Sequence, residues 1–462
     1  MTPITDPDIW LHLRTGQWIV EHWTVPTTDP FSNYGIGKPW IAYSWLFDLL
    51  VYSLYRAFGL TGVVAYTVAL SLSIAVALHT VVWRLQPHFT FAAAITALGL
   101  ISLFPLLNPR PWLFTILFFV VELHLLLEAR EQGNARGLLF LPPLFALWAN
   151  LHIQFVYGLF LLGLAAAEPL ISRSLRFAPA EAGSKTISYG CLLLVLPACA
   201  LATLATPYHI QLYYVILDYI GQNNPSHYIK EHMPLEFRSP FEWSVLVLTL
   251  CAVFAIGWRR QVRIFAIALL VAGIFLSFRS RRDLWFVVIC AVTTIASFRS
   301  KESVIQGFRV TKLRATLVGV SILIALMLIG RIRNISEGHL QETVVKTYPE
   351  KAAAIVEQRG YPGPLYNPYH WGDYLIWRLP NLPVAMDGRT NLHGDKRIER
   401  AFKTWAGGRE WASDPELAAA RLVIADVNLA LTSLLRLDPR FELVYEDKVA
   451  AVFVARAQDE ER

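Results

Sequence analysis

Charge is scarce in this sequence. Asp, Glu, Lys and Arg supply 16% of its 462 residues, where a soluble domain carries about a quarter. With 55% hydrophobic residues and a mean hydropathy of +0.42, that scarcity excludes an ordinary soluble chain and reads as a polytopic membrane protein. Cysteine is also rare: Cys191, Cys199, Cys251 and Cys290 lie in apolar runs without metal-type spacing, so they read as packing residues. No Gly-rich phosphate loop, HExxH stretch or activated Ser–His or Cys–His pair is found, and no nucleotide cofactor is expected. The net charge of +6 does not read as a nucleic-acid footprint. Residues 1–331 carry 24 Lys/Arg against 16 Asp/Glu and residues 332–462 carry 17 against 19, a basic membrane part followed by a near-neutral tail.

What is present is a series of apolar runs. The expected spans are 62–84, 88–107, 111–129, 137–150, 153–170, 188–205, 241–258, 263–278, 284–298 and 313–331, about ten in all. Several fall short of the roughly 20 residues of a straight crossing, and Pro-interrupted ones such as LLFLPPLFALWAN suggest helices ending below the surface, around a cavity. Segment 44–58, short and carrying Asp48, is expected as a surface or half-inserted helix. The connections 129–136, 172–177, 257–263 and 298–314 hold most of the loop Lys and Arg. Placing them in the cytoplasm satisfies the positive-inside rule at all four, and both the N-terminal segment and the tail then face outside. An outside start without a signal peptide leaves two readings: a first helix upstream, or a short segment translocated unaided. The organisation expected is an extracytoplasmic loop with interfacial helices over 1–61, a transmembrane bundle over 62–331 and an extracytoplasmic α/β domain over 332–462.

On that topology Asp6, Asp8 and His12 face outward at the head of DIWLHLRTGQWIVEHW (8–23), whose Trp10, Leu11, Trp18, Ile19 and Trp23 fall near one side of an interfacial helix. Either aspartate could instead simply cap that helix. The outer ends also collect Arg110, Asn150, His152, Tyr208 and His209. Asp218, His227, Lys230, Glu231, His232 and Arg238 follow in one loop, and Arg279, Arg281, Arg282 and Asp283 in one turn. Three arginines in four positions outside the membrane breach the positive-inside trend. A lipid-linked phosphate or pyrophosphate would compensate them, because guanidinium matches phosphate bidentately. Anionic headgroups or Asp283 would do so as well. Carboxylates and a histidine at a lipid interface supply a general base for an acceptor hydroxyl and a ligand for a divalent cation, magnesium or manganese. Arginines would stabilise the departing lipid phosphate.

The run DPDIWLHLRTGQWIVEHWTVPTTDPFS resembles the first extracytoplasmic loop of the GT-C class of integral-membrane glycosyltransferases, above all bacterial members with a D-x-D-x-W-x-H loop. NPRPWLFTILFF, WANLHIQFVYG and YNPYHWGDYLIWRLP…VAMDGRTNL look like the same bacterial proteins, so the resemblance spans most of the chain. It implies a GT-C helical bundle in a bacterial-type inner membrane, with its active face outside. The donor it implies is a polyprenyl-phosphate-linked sugar, transferred with inversion. Asp6 and Asp8 match the acidic pair, one acting as base or cation ligand, with His12 beside them. Arg110, Arg279, Arg281 and Arg282 would hold the donor phosphate, and His152, Tyr208, His209 and His232 would touch sugar or acceptor. Two other readings stay open: a transporter or flippase for a lipid-linked saccharide, and a non-catalytic bundle of the same fold.

In the tail, β-like runs (PLYN, PVAMD, RLVIADV, FELVYE, AAVFVAR) alternate with helical runs at 349–359, 371–379, 394–406, 414–420 and 428–437, the pattern of a small α/β domain. The aromatic stretch around Tyr369 and His370, with Asp373, Asp387 and Arg389 nearby, suits sugar or acceptor contacts. A packed core with a turn at Asp387-Gly388 accounts for it equally simply, and is the reading favoured.

Overall fold

The computed structural model describes residues 5–174, 189–221, 228–258, 264–297 and 335–456. The expected span 313–331, the connection 298–314, parts of the connections 172–177 and 257–263, and His227 lie outside the described residues. The chain divides into two compact units. One gathers described residues of Met1–Tyr66, Ile210–Tyr228 and Ile335–Arg462, and the other those of Thr67–His209 and Ile229–Asn334. The first therefore unites stretches far apart in sequence.

The second unit is helical throughout its described residues. Helices Phe89–Leu103, Trp112–Gln132, Leu141–Leu151, Val156–Ser174, Tyr189–Ala202, Pro240–Trp258, Ile264–Arg279 and Leu284–Ala296 follow the expected spans to within a few residues. Across the described chain, five segments are long and apolar enough to cross a membrane: Trp45–Leu85, Phe89–Leu106, Trp112–Gln132, Ile153–Ser174 and Pro240–Trp258. Arg136–Leu151, Gly190–Ala202 and Ile264–Arg279 are shorter apolar helices. This is a polytopic helical membrane protein. Helix Leu284–Ala296 is buried at every one of its 13 positions, as a helix apolar all round must be. Glycines let its neighbours approach: a Cβ on Gly99 would meet Val292 at 2.9 Å, and one on Gly273 would meet the Val287 backbone at 3.1 Å.

In the first unit, helix Asp8–His22 buries Ile9, Trp10, Leu13, Gly16 and Ile19. That stripe differs from the expected membrane-facing one. Trp10 lies edge-on to Tyr374 (5.1 Å) and Tyr348 (5.6 Å), so it is a core residue of the protein, whereas Trp23 is 92% exposed. The helix pattern fixes a face, and here that face meets aromatic rings of the C-terminal segment. Helix Trp45–Leu85 is broken at Gly59, whose φ of 64° and ψ of −153° suit glycine. Segment 45–58 is thereby a helix of its own. At the break the N–H groups of Leu60 and Thr61 donate to the Glu337 carboxylate at 3.1 and 3.0 Å, which caps the helix that follows.

Gly16 is where helix Asp8–His22 meets helix Trp45–Leu85. A Cβ there would fall 2.6 Å from Tyr52 Cβ and closer still to the Asp48 carbonyl oxygen. Gly16→Ala is therefore expected to cost about 1–3 kcal/mol by overpacking and to part the two helices. A lowered melting temperature of the detergent-solubilised protein is the readout, and an unchanged one would show that the two helices separate freely.

The C-terminal segment contains a four-stranded sheet in the order β1-β2-β4-β3, with β1 Leu365–Tyr366, β2 Leu422–Asp426, β3 Phe441–Glu446 and β4 Ala450–Ala455. β1 runs parallel to β2, and β4 pairs antiparallel with both β2 and β3. The run LVIAD is central and almost wholly buried, as a continuous apolar strand should be. The edge strand FELVYE carries Glu442 and Glu446 into solvent. PVAMD is not a strand of this sheet. Val384 instead bridges to Ser32, with the Asn33 N–H donating to the Val384 carbonyl at 2.9 Å. Tyr366, Trp405, Leu417, Val423, Leu431 and Phe453 share the core beside the sheet.

Candidate active site

The loop before residue 45 is locked to the C-terminal segment by buried charge. Arg389 donates to Asp29 Oδ1 (2.5 Å) and to both carboxylate oxygens of Asp387 (2.8 and 2.7 Å). It also lies over the Trp40 ring at 4.7 Å. His393 Nε2 lies 3.1 Å from Asp387 Oδ2. Burial raises the Asp387 pKa, but Arg389 and His393 overcome it and hold the carboxyl well below its ordinary range. This is a framework, as the packed-core reading expects.

Next to this framework a pocket of about 70 Å³ is lined by Asp8, His12, Asp48, Asp373, Arg389 and Asn391, with Trp40, Tyr43 and Tyr219 at its walls. It is large enough to admit water, and so a hydroxyl group. Asp8 and His12 are four apart on one helix and so share its face. His12 Nδ1 is 2.6 Å from Asp48 Oδ1, and the ring stands edge-on to Phe47. With Nδ1 engaged, ligand chemistry falls to Nε2.

Asp373 comes from helix Gly372–Arg378, which crosses close to Met386 and Asp387 because Gly372 lacks a Cβ: one placed there would lie 2.6 Å from Asp387 Cα. Its Oδ1 accepts the Gly388 N–H at 3.0 Å. Burial, then the negative charges of Asp8 and Asp387, push its pKa well above the ordinary value. A carboxyl that holds its proton more readily than a free one thus shares a pocket with Asp8.

Of the residues singled out in sequence, Asp8 and His12 line this pocket. Asp6 does not; its Oδ1 accepts the Asp8 N–H at 3.2 Å, at the start of the helix. Tyr369 and His370 are directed elsewhere, Tyr369 O–H donating to the Gly388 carbonyl and His370 Nε2 lying 3.1 Å from Asp426. Among the described residues no group of three or more His, Cys, Asp or Glu converges as cation ligands would. Asp6 and Asp8 do not line the pocket together, and no step below passes through a metal. Asp48 and Asn391 were not among the candidates, and Asp373 and Arg389 entered only as neighbours of the aromatic stretch, with a packed core the favoured reading. The sequence signal for Asp48 was a lone Asp in an apolar helix, and for Asn391 a tail rich in aromatics and charge.

The second unit holds the arginines. Arg110 forms a bidentate pair with Glu231 (2.6 and 3.0 Å), and Arg281 lies 3.1 Å from Glu242 and 3.4 Å from Glu236. Arg279 is exposed, and Arg282 is half-buried. His152 is buried, 2.8 Å from the Thr115 hydroxyl; Tyr208 is also buried. His209 is exposed and donates to the Leu204 carbonyl. Burial, with Arg282 and Arg110 nearby, lowers the pKa of His232 to about 4 from 6.5. The folded protein thus favours neutral His232, and the unfolded chain binds more protons between those values. Stability is present above pH 6.5 and is lost as pH falls toward 4. His232→Asn is expected to flatten the stability profile across that window in a pH series of unfolding midpoints; an unaltered slope would contradict the assignment.

No protein-family model matches the sequence, and no curated protein does. Among solved structures, the Archaeoglobus fulgidus oligosaccharyltransferase, tethered with an acceptor peptide containing the NVT sequon via a disulfide bond, is similar at a TM-score of 0.51 with 11% identity. The match covers 90% of this chain and 64% of that one. The fold is of the GT-C kind. At that identity the likeness carries the fold alone, and the chain spans about two thirds of the oligosaccharyltransferase's length. ArnT from Cupriavidus metallidurans bound to undecaprenyl phosphate aligns at a TM-score of 0.44 with 13% identity, over 97% of this chain and 94% of that one.

Proposed function

We propose that this GT-C protein is a glycosyltransferase, moving a sugar from a polyprenyl-phosphate-linked donor to an acceptor hydroxyl on the extracytoplasmic side. The observation that carries the reading is the pocket joining Asp8 to Asp373 and to the His12–Asp48 pair. A carboxylate beside a carboxyl of raised proton affinity and a histidine in one small pocket are groups that proton transfer to or from a hydroxyl can use.

In the proposed step Asp8 takes the acceptor O–H proton as the acceptor oxygen bonds to the anomeric carbon. The bond from that carbon to the phosphate oxygen breaks, and its electron pair leaves with the lipid phosphate. Asp373 donates a hydrogen bond that holds the acceptor oxygen, and Asp48 fixes the tautomer of His12 beside it. Asp6, through its bond to the Asp8 N–H, sets the start of the helix and so positions Asp8. Arg110, Arg279, Arg281 and Arg282 are the candidates for holding a lipid phosphate, since guanidinium matches phosphate bidentately. Sidedness rests on the basic connections of the sequence.

The test uses the full chain in lipid nanodiscs. Native mass spectrometry is expected to find a co-purifying polyprenyl phosphate or its sugar-bearing form. Adding a polyprenyl-phosphate-linked sugar and a hydroxyl acceptor is expected to release the free polyprenyl phosphate. A flippase would bind the lipid without that release. Bulk phospholipid alone, with no release from any donor supplied, would leave only the non-catalytic bundle.

A further inference from the structure

Helix Asp395–Trp405 buries Ile398, Ala401 and Trp405 and turns its other side outward. On that side Lys396, Arg400 and Lys403 stand at i, i+4 and i+7, and so share one face. The chain reverses at Gly407, whose φ of 71° suits glycine. The Gly408 N–H then donates to the Lys403 carbonyl at 2.9 Å, which ties the following segment to the end of the helix. Helix and segment line a cavity of about 610 Å³, a size within the roughly 300–1,000 Å³ of small-molecule sites. It shares no lining residue with the Asp8 pocket.

Its walls are held from within. Asp414, buried, accepts the Thr404 hydroxyl at 2.8 Å and the Glu416 and Leu417 N–H groups at 2.9 and 3.2 Å. Arg400 pairs with Glu416 and lies 3.4 Å from Asp414, and Lys403 lies 2.7 Å from Glu399. Two cations of the lining are left over: among the described residues neither Lys396 nor Arg409 has a carboxylate partner. Glu410 adds a further carboxylate, and Trp411, half-buried against the core beside the sheet, adds an indole ring.

The cavity thus presents four cations and three carboxylates. Its carboxylates repel a polyanion, and an apolar ligand would strip water from its charges without replacing it. A polyhydroxyl ligand with one negative charge answers both signs. Its hydroxyls accept from lysine and arginine and donate to carboxylates, its charge meets the two unpaired cations, and one ring face covers the indole.

We propose that this cavity is a binding site for an acidic saccharide. Lys396 and Arg409 hold the anionic group, while Glu410 and Trp411 receive the sugar ring. Binding there needs neither donor nor transfer, so it stands or falls apart from the transferase reading.

Isothermal titration of the full chain in nanodiscs tests it, with cellobiouronate, its neutral counterpart cellobiose, and inorganic phosphate as probes. Cellobiouronate is expected to bind at least about tenfold more tightly than either of the others, the least that one charge-assisted contact contributes. Lys396→Ala combined with Arg409→Ala is expected to weaken cellobiouronate by at least about tenfold. The melting temperature should hold, because both side chains are exposed. Asp8→Asn is expected to bind it as wild type does. The proposal is overturned if cellobiouronate does not bind, if cellobiose or phosphate binds as tightly, or if the double variant binds like wild type.

Discussion

Asp8→Asn is expected to lower sugar transfer by about 10²–10⁴-fold, the range that a general base contributes. The substitution keeps the size of the side chain and removes its ability to take a proton. Bound lipid, measured by native mass spectrometry, should stay within twofold of wild type, so that the loss falls on kcat. Asp6→Asn is expected to do much less, since its oxygen accepts one backbone N–H at the helix start. An Asp8→Asn protein that turns over normally would remove Asp8 from the chemistry and return the pocket to a structural role. Loss of bound lipid together with turnover would instead favour a binding role for this carboxylate.

The largest stability effect is expected at Arg389. Its guanidinium lies between two fully buried carboxylates, Asp29 and Asp387. Removing one partner of a buried pair costs about 3–5 kcal/mol because the charge left behind has no solvent, and Arg389→Met leaves two. At about 2–4 °C per kcal/mol for a unit of this size, the melting temperature should fall by on the order of 10 °C. Replacing all three residues, with Asp29→Asn and Asp387→Asn added, should recover a good part of that loss. The pH dependence has a definite sign. Asp387 titrates well below its unfolded value, so its stabilisation is present above about pH 3.9 and is lost as pH falls through the folded value. Arg389→Met should therefore bring acid unfolding to higher pH. A variant as stable as wild type would mean that water reaches the pair.

The apolar runs were legible because a helix announces itself by length and hydropathy, and the tail because alternating short runs are its own local signature. Nine of the ten expected spans lie over observed helices, and four of the five β-like runs are strands. Periodicity names a face, however, and not what the face meets. The stripe through Trp10 looked like a membrane contact because Tyr348 and Tyr374 stand more than 300 residues away. Asp48 and Asp373 were visible, but what they meet was not, for the same reason. A lone carboxyl in an apolar segment reads as an oddity until the chain brings His12 or Asp8 to it. Arg389 was visible as part of a charged turn, yet its second partner, Asp29, lies 360 positions earlier.

The break at Gly59 makes the order of synthesis matter. The helix that begins at Leu60 has its first N–H groups closed by Glu337, and that side chain is added 277 residues later. Until then those donors face the negative end of nothing in their own segment, and water must serve them. A chain cut short ahead of residue 337 would insert this helix with an open amino end. Completion of the polypeptide then acts as the final fastening of one of its earliest helices, and the carboxylate does so at the end where the helix dipole is positive.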